Sequence, residues 1–238
     1  MIGSEAAAAA RHRGIDVTIL ECALAPMSRI LPTGIVDAYV RLHTYNGVDI
    51  RTGVVVESLR DNGSGVVATA ADGRVRRADI ALAAVGSVRQ TALAADAGIE
   101  LGDGIVVDKR FATSAPDVYA AGDVASVPNP LVGRHRGQHW NSARGQGEAA
   151  AKAILGQDAN SFEVPWGWST QYGHTLQFAG WPAADDAIDI DGDLTELDFV
   201  ALARRRERVV GAVAISRSNE FRRARTLITV EALVGSRR

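Results

Sequence analysis

An α/β fold followed by a smaller α+β domain is what this 238-residue sequence predicts, and three observations predict it. The first is alternation: an alanine-rich helical stretch, an apolar strand, a second helix and an antiparallel meander succeed one another up to about residue 107. The second is the string Val118-Tyr119-Ala120-Ala121-Gly122-Asp123-Val124, which reads as a buried strand ending in Gly-Asp. Trp140-Asn141-Ser142-Ala143-Arg144-Gly145-Gln146-Gly147 lies behind it as the start of a helix. The third is a change of composition beyond Gly156, where antiparallel strand patterns precede one closing helix.

Taken in order, Gly3 to Arg13 is rich in alanine, the best helix former, and Gly14 is placed to close that helix. Residues 15–20 then read as a mostly buried strand. A helix from Thr33 to Tyr45 sets Ile35, Val36, Tyr39, Val40 and Leu42 near one side, and Asn46-Gly47 ends it. Three short strands follow, Gly53 to Leu59, Val66 to Ala71 and Arg74 to Arg77, separated by Asp61-Asn62-Gly63 and Asp72-Gly73. The unbroken apolar run Ile80 to Val85 has the pattern of a central parallel strand. A helix is expected from Asn141 to Leu155. Strands are expected over Leu176–Trp181, Leu194–Ala203 and Val209–Ser216, with a last helix from Phe221 to Val234.

A formal charge of −2 gives no electrostatic reason to invoke nucleic acid or a membrane surface. The longest apolar run near the start, Ala6 to Ala10, is too short to span a bilayer, and no signal-peptide pattern is visible. One cysteine, Cys22, excludes an internal disulfide and any Cys-x-x-Cys chemistry within these residues. A cytoplasmic protein is expected.

Several segments carry chemistry. Gly122 lets the backbone approach a bound group, and Asp123 offers a carboxylate to polyol hydroxyls. Val164-Pro165-Trp166-Gly167-Trp168-Ser169-Thr170-Gln171 holds two of the four tryptophans, whose flat apolar faces suit either a planar cofactor ring or a core. Met1-Ile2-Gly3-Ser4-Glu5 stands before the alanine-rich helix, and Glu21, eighteen residues after Gly3, ends the next strand. An acidic residue there can receive ribose hydroxyls of NAD or be an ordinary solvated glutamate. Arg29, after Pro26-Met27-Ser28, can meet a phosphate or simply face solvent.

These strings together resemble flavoproteins with two dinucleotide-binding domains, of the glutathione reductase superfamily. Within it they are most similar to FAD-dependent NADH:ferredoxin reductases of the putidaredoxin reductase and rhodocoxin reductase type, which serve oxygenases and cytochromes P450. Met1–Glu5 resembles the end of that family's Gly-x-Gly-x-Ile-Gly-x-Glu, and residues 118–124 resemble its second flavin-binding segment. The Trp pair resembles its Val-Pro-Trp-aromatic-Trp-Ser-Asp-Gln, with Gly167 in place of an aromatic and Thr170 in place of aspartate. Gln138 stands where glutamate is usual, and Val88-Arg89-Gln90 departs from the usual sequence after the Val85-Gly86 turn.

The resemblance implies an NAD-binding domain over 1–107 without its first strand, the second FAD-binding segment over 108–158, and a C-terminal interface domain over 159–238. It implies FAD and NAD as cofactors, held by Gly3, Glu5, Glu21, Arg29, Gly86, Gly122, Asp123, Val124, Gln138, Trp166 and Trp168. It implies no catalytic side chain and a ferredoxin-type iron–sulfur protein as partner. It also implies that the sequence corresponds to the C-terminal part of a reductase, whose sheet would expose an edge and apolar surface. The alternatives are a non-catalytic nucleotide-binding or interaction remnant, and a disulfide reductase relative.

Overall fold

The computed structural model describes residues 1–28, 31–129, 132–159, 164–183 and 185–235. Helix α1 (Ile2–His12) leads through Gly14, at φ +75°, into β1 (Val17–Leu20). After α2 (Thr33–Tyr45), β2 (Val48–Arg51) returns parallel to β1, with Val17 opposite Val48. The meander β3 (Val56–Asp61), β4 (Val66–Ala70) and β5 (Val75–Ala78) forms its own antiparallel sheet. The short helix α3 (Ala92–Asp96) precedes a four-stranded sheet of β6 (Leu101–Gly102), β7 (Gly104–Val106), β8 (Ala125–Asn129) and β9 (Gly133–His135). Helix α4 (Trp140–Ile154) packs Ala149 and Ala150 against Val107, Phe111, Ala125 and Val127 of that region.

The C-terminal part is a five-stranded antiparallel sheet covered on both faces. Its strands are β10 (Trp166–Gln171), β11 (His174–Gly180), β12 (Ala187–Asp193), β13 (Asp198–Arg205) and β14 (Arg208–Ile215), in the order β10-β11-β14-β13-β12. Alternation sends Leu176, Phe199, Ala201, Val213 and Ile215 to one face, where they meet Ile35, Val36, Ala38 and Tyr39 of α2. Ala179, Val200, Ala212 and Ala214 face the other way, onto Phe221, Ala224 and Ile228 of α5 (Ser218–Gly235). Helix α2 is thus a layer of the C-terminal sheet as well as the connection between β1 and β2.

The α/β organisation read from the sequence is present, with helices α1, α2, α4 and α5 within a few residues of expectation. Two apolar runs depart from it. Residues 80–85 form no strand: the backbone of 79–90 makes no backbone hydrogen bond among the described residues. Ile80, Leu82 and Val85 are 84%, 64% and 95% exposed. Residues 118–121 likewise make only an isolated bridge, Tyr119 with Ala112, so Gly122-Asp123 precedes strand β8 and does not end one. The physical reason is shared. A parallel strand exists only through hydrogen bonds to a neighbour, and none of the described strands lies beside these runs.

Strands β10 and β12 were outside the elements expected from sequence. The β10–β11 turn places Tyr172 and Gly173 at φ +50° and +82°, the left-handed pair of a type I′ hairpin, where tyrosine is not a usual turn signal. Strand β12 is an edge carrying Asp189, Asp191 and Asp193, whose charges suit an edge but hide the strand pattern.

Phe199 is fully buried between the sheet and α2. Phe199→Ala is expected to lower unfolding free energy by about 3–5 kcal/mol. Ile190→Ala, on the half-exposed edge strand, is expected to stay within about 0.5 kcal/mol. Urea unfolding of the two variants checks this.

Candidate functional site

Two helix N-termini converge on one face of β10. Helix α1 starts after Met1 and α4 after His139, and neither has a side-chain cap, so their first N–H groups point outward at the positive end of each helix. In α1, Glu5 sits in the first turn, and Ser169 Oγ donates to its Oε1 at 2.7 Å. Ahead of α4, His139 lies against Gly167, where an added Cβ would stand 2.8 Å from the ring's Cε1 and 2.7 Å from Cζ of Phe178. Gly167 and Ser169 share a strand face and are two residues apart, about 7 Å. The glycine that replaces an aromatic in the motif is what lets His139 approach the strand.

The turn at Gly122-Asp123-Val124 lies beside α4 and is fixed from four directions. Gly122, buried at φ +81°, donates its N–H to Gln146 Oε1 at 2.8 Å and faces Ala143. Ile105 N–H donates to the Val124 carbonyl at 2.8 Å, and Ala125 N–H to the Gly122 carbonyl at 3.0 Å. Arg136 Nη1 donates to the Asp123 carbonyl at 3.1 Å. Gly104, at φ +105°, passes so close to the Val124 carbonyl that no Cβ fits between them. What this leaves open is a set of polar groups. Asp123 is exposed and its carboxylate accepts no hydrogen bond among the described residues. Asn141 Nδ2, at the first turn of α4, is buried without a hydrogen-bond partner among the described residues. A carboxylate fits hydroxyl donors, and free helix N–H groups with an orphaned amide donor fit electron-rich acceptor oxygens, the two needs of a polyol carrying a polar ring.

The other sequence-expected residues fall as follows. Gly3 lies against Ala84, where an added Cβ would stand 3.2 Å from Ala84 Cβ, so the start of α1 touches the unpaired segment. Glu21 directly follows β1. Its N–H donates to Arg51, its carbonyl accepts from Val54, and its Oε1 accepts the Ala23 N–H at 2.9 Å. Gly86, expected to follow a strand, instead lies in the exposed segment at φ +101° with open space around it. Arg29 lies outside the described residues. Gln138 is exposed, and with its amide oxygen turned to the Arg136 guanidinium it accepts from Nη1 at 2.7 Å, which leaves only its NH2 for a ligand. Trp166 and Trp168 are neighbours, 5.6 Å between centroids, on the face of β10 opposite Ser169. Arg225 covers the Trp166 ring at 4.5 Å, whereas Trp168 is 44% exposed.

Sequence reasoning missed Arg136, His139, Ser169, Gln171 and His43. Arg136 and His139 flank Gln138, and Ser169 and Gln171 stand inside the quoted string 164–171, where strand alternation would have set them apart from the tryptophans. His43 carries no signal, being one histidine on the apolar side of an amphipathic helix.

Residues 1–147 match the family model described as pyridine nucleotide-disulphide oxidoreductase, which is more than half of the sequence. The chain belongs to that family. Residues 166–237 match a second model, the reductase C-terminal domain. The 3-phenylpropionate/cinnamic acid dioxygenase ferredoxin–NAD(+) reductase component of Photorhabdus laumondii is 35% identical over 237 residues, covering 99% of this chain and 60% of that protein. Rhodocoxin reductase of Rhodococcus erythropolis is 32% identical over 232 residues, covering 97% and 54%. The crystal structure of the covalent putidaredoxin reductase–putidaredoxin complex superposes at a TM-score of 0.90 with 30% identity, covering 96% of this chain and 56% of that one. This member of the pyridine nucleotide-disulphide oxidoreductase family thus has ferredoxin reductases among its relatives, as the motifs implied, and spans a little over half their length.

Burial holds the imidazoles of His43, His135 and His139 below the usual histidine range; for His135 the nearby Arg136 adds to this, and for His139 Asp123 opposes it. From about one pH unit above 6.5 these rings are neutral in both folded and unfolded chains. As the pH falls below that, the unfolded chain takes up protons that the folded chain refuses, so stability falls until the folded values are reached. Urea midpoints measured from pH 7.5 down to 5 are expected to decline, and less steeply in His43→Gln.

A second expectation concerns the glycines. Gly147→Ala, in α4 with open space around it, should stabilise by about 0.5–1 kcal/mol. Gly104→Ala should destabilise by more than about 1 kcal/mol. Thermal unfolding of both variants distinguishes a spacious glycine from a required one.

Proposed function

We propose that this chain carries the nucleotide-binding part, the second flavin-binding segment and the interface domain of an FAD-dependent NADH:ferredoxin oxidoreductase working in the cytoplasm. The observation that supports this best is the convergence of the α1 and α4 N-termini on neighbouring positions of β10. One end belongs to the nucleotide region and the other to the Gly122-Asp123 region. Groups bound at the two ends would therefore lie side by side, the geometry that transfer between two cofactors requires.

In this reading the domains are 1–107, 108–158 and 159–238. Gly3, Glu5, Glu21, Arg29 and Gly86 serve the dinucleotide. Gly122, Asp123, Val124, Gln138, Trp166 and Trp168 serve the flavin, with Trp168 the tryptophan that keeps an open face. Bound flavin supplies hydride acceptance and one-electron release. The protein's own residues bind and orient. Glu21 receives ribose hydroxyls and repels a 2′-phosphate, Asp123 holds hydroxyls, and the uncapped α4 N-terminus favours electron-rich oxygens. The partner is a ferredoxin-type iron–sulfur protein, in keeping with the dioxygenase ferredoxin reductase relative and the putidaredoxin complex. No described helix is long and apolar enough to cross a membrane.

Titrating the protein with NADH and NADPH by tryptophan fluorescence tests the nucleotide half. NADH should bind more tightly, and Glu21→Ala should narrow the difference by about tenfold, corresponding to about 1.4 kcal/mol. Equal affinities in the unsubstituted protein would remove Glu21 from that role.

For the flavin half, reconstitution with FAD followed by gel filtration should leave less visible absorbance in Asp123→Ala than in the parent. Equal retention by the two would mean the Gly122-Asp123 turn is structural only.

A further inference from the structure

The bond from Ser169 to Glu5 is the last of a continuous series. Ser169 Oγ is also 2.8 Å from Gln171 Nε2, Gln171 Oε1 is 2.6 Å from His43 Nε2, and His43 Nδ1 is 3.2 Å from the Tyr172 hydroxyl. Ser169, Gln171 and His43 are 0%, 2% and 2% exposed, so water does not compete for these groups. Each direction follows from what the atoms can do. A carboxylate only accepts, so Ser169 gives its one hydrogen to Glu5. The serine oxygen must then receive from a donor, which is the Gln171 NH2. The Gln171 oxygen only accepts, so His43 carries its hydrogen on Nε2. Nδ1 is left as the acceptor of the Tyr172 O–H. Every donor in the series points toward Glu5.

A buried polar series adds little stability over an apolar filling of the same volume, and each broken link leaves an unsatisfied group. What it does supply is orientation. It begins at a half-buried tyrosine on the β10–β11 turn, passes through α2, and ends on a carboxylate in the first turn of α1. The second oxygen of Glu5 accepts no hydrogen bond among the described residues. The Tyr39 hydroxyl lies buried beside Ser169 of this series, with its pKa pushed up to about 12 by burial. The site therefore holds spare polar capacity at the positioned carboxylate.

We propose that Ser169, Gln171 and His43 are positioning residues, forming a one-way hydrogen-bond relay that fixes the Glu5 carboxylate at the α1 N-terminus for a ligand donor. The identity of that ligand as a nicotinamide dinucleotide rests on the function proposed above. The positioning itself does not.

The test has two arms on the same 238-residue protein. The first is ligand-free NMR. Nitrogen-15 histidine spectra should show His43 as the Nε2–H tautomer, and side-chain couplings of Glu5 should report a single rotamer. Ser169→Ala and His43→Phe should both average the Glu5 rotamer, while Ser169→Thr, which keeps the hydroxyl, should restore it. An Nδ1–H tautomer at His43, or a Glu5 rotamer that stays fixed in a folded Ser169→Ala protein, overturns the relay. Should Ser169→Ala fail to fold, the His43 tautomer in the parent and the Ser169→Thr comparison still decide.

The second arm is NADH affinity. Ser169→Ala should weaken binding by about tenfold or more, the loss expected when a charged acceptor is no longer held in place, with Ser169→Thr near the parent. If the parent shows the tautomer and the fixed rotamer but binds no NADH, the relay stands and the dinucleotide reading falls. If NADH binds equally well to the parent and Ser169→Ala, the carboxylate is not positioned for it and the proposal fails.

Discussion

Side chains on a strand alternate between its faces, and in β10 that alternation divides six residues into two sets with different surroundings. Trp166 and Trp168 turn toward one side, where Arg225 of α5 covers the first ring. Gly167, Ser169 and Gln171 turn inward and are all buried, and on them depends the position of everything else. Gly167 admits His139 and so sets where α4 begins. Ser169 holds Glu5 and so sets where α1 begins. Gln171 reaches His43 and so ties α2 to the same strand. A one-residue slip of β10 against β11 would exchange the two sets, placing indole rings against the helix ends and polar groups under α5. The left-handed Tyr172-Gly173 turn, which joins the two strands without a spare residue, guards against that slip.

The C-terminal sheet is the rigid body behind this arrangement. Its two faces are sealed by helices distant in sequence, α2 from the first fifth of the chain and α5 from its end. Because α2 contributes Ile35, Val36 and Tyr39 to that core, the nucleotide region does not merely lean on the C-terminal part but shares its interior. Position of the α1 N-terminus relative to β10 is therefore determined by close packing as well as by hydrogen bonds, and close packing tolerates little adjustment.

The helices were legible because 3.6-residue periodicity and glycine stops are local properties. The site was legible in outline where glycine and carboxylate stood in order, at Gly122-Asp123 and at Glu21. Residues 80–85 and 118–121 show the limit of that reading. An apolar run states that a segment would gain by burial, but not which neighbour provides it, and a ladder needs the neighbour. His43 and Gln171 show a second limit. Their partner lies 128 positions away in the sequence, and no local pattern announces a contact of that range. Arg136 fails for a third reason: its role is to satisfy the carbonyl of Asp123, and any arginine near a turn looks the same before the turn is folded.

The segment from 79 to 90 has one further consequence, for how the polypeptide meets a protease. Exposed loops of unpaired backbone are where proteolytic nicking concentrates. Here every residue is exposed and no backbone hydrogen bond has to be broken first. Arg89 lies within the segment, so an arginine-directed enzyme has a point of attack just beyond Ile80, Leu82 and Val85, whereas Arg77 is held in the β4–β5 ladder. The apolar stretch with the greatest gain from a neighbour is also the one beside which the chain is most readily cut while none is there.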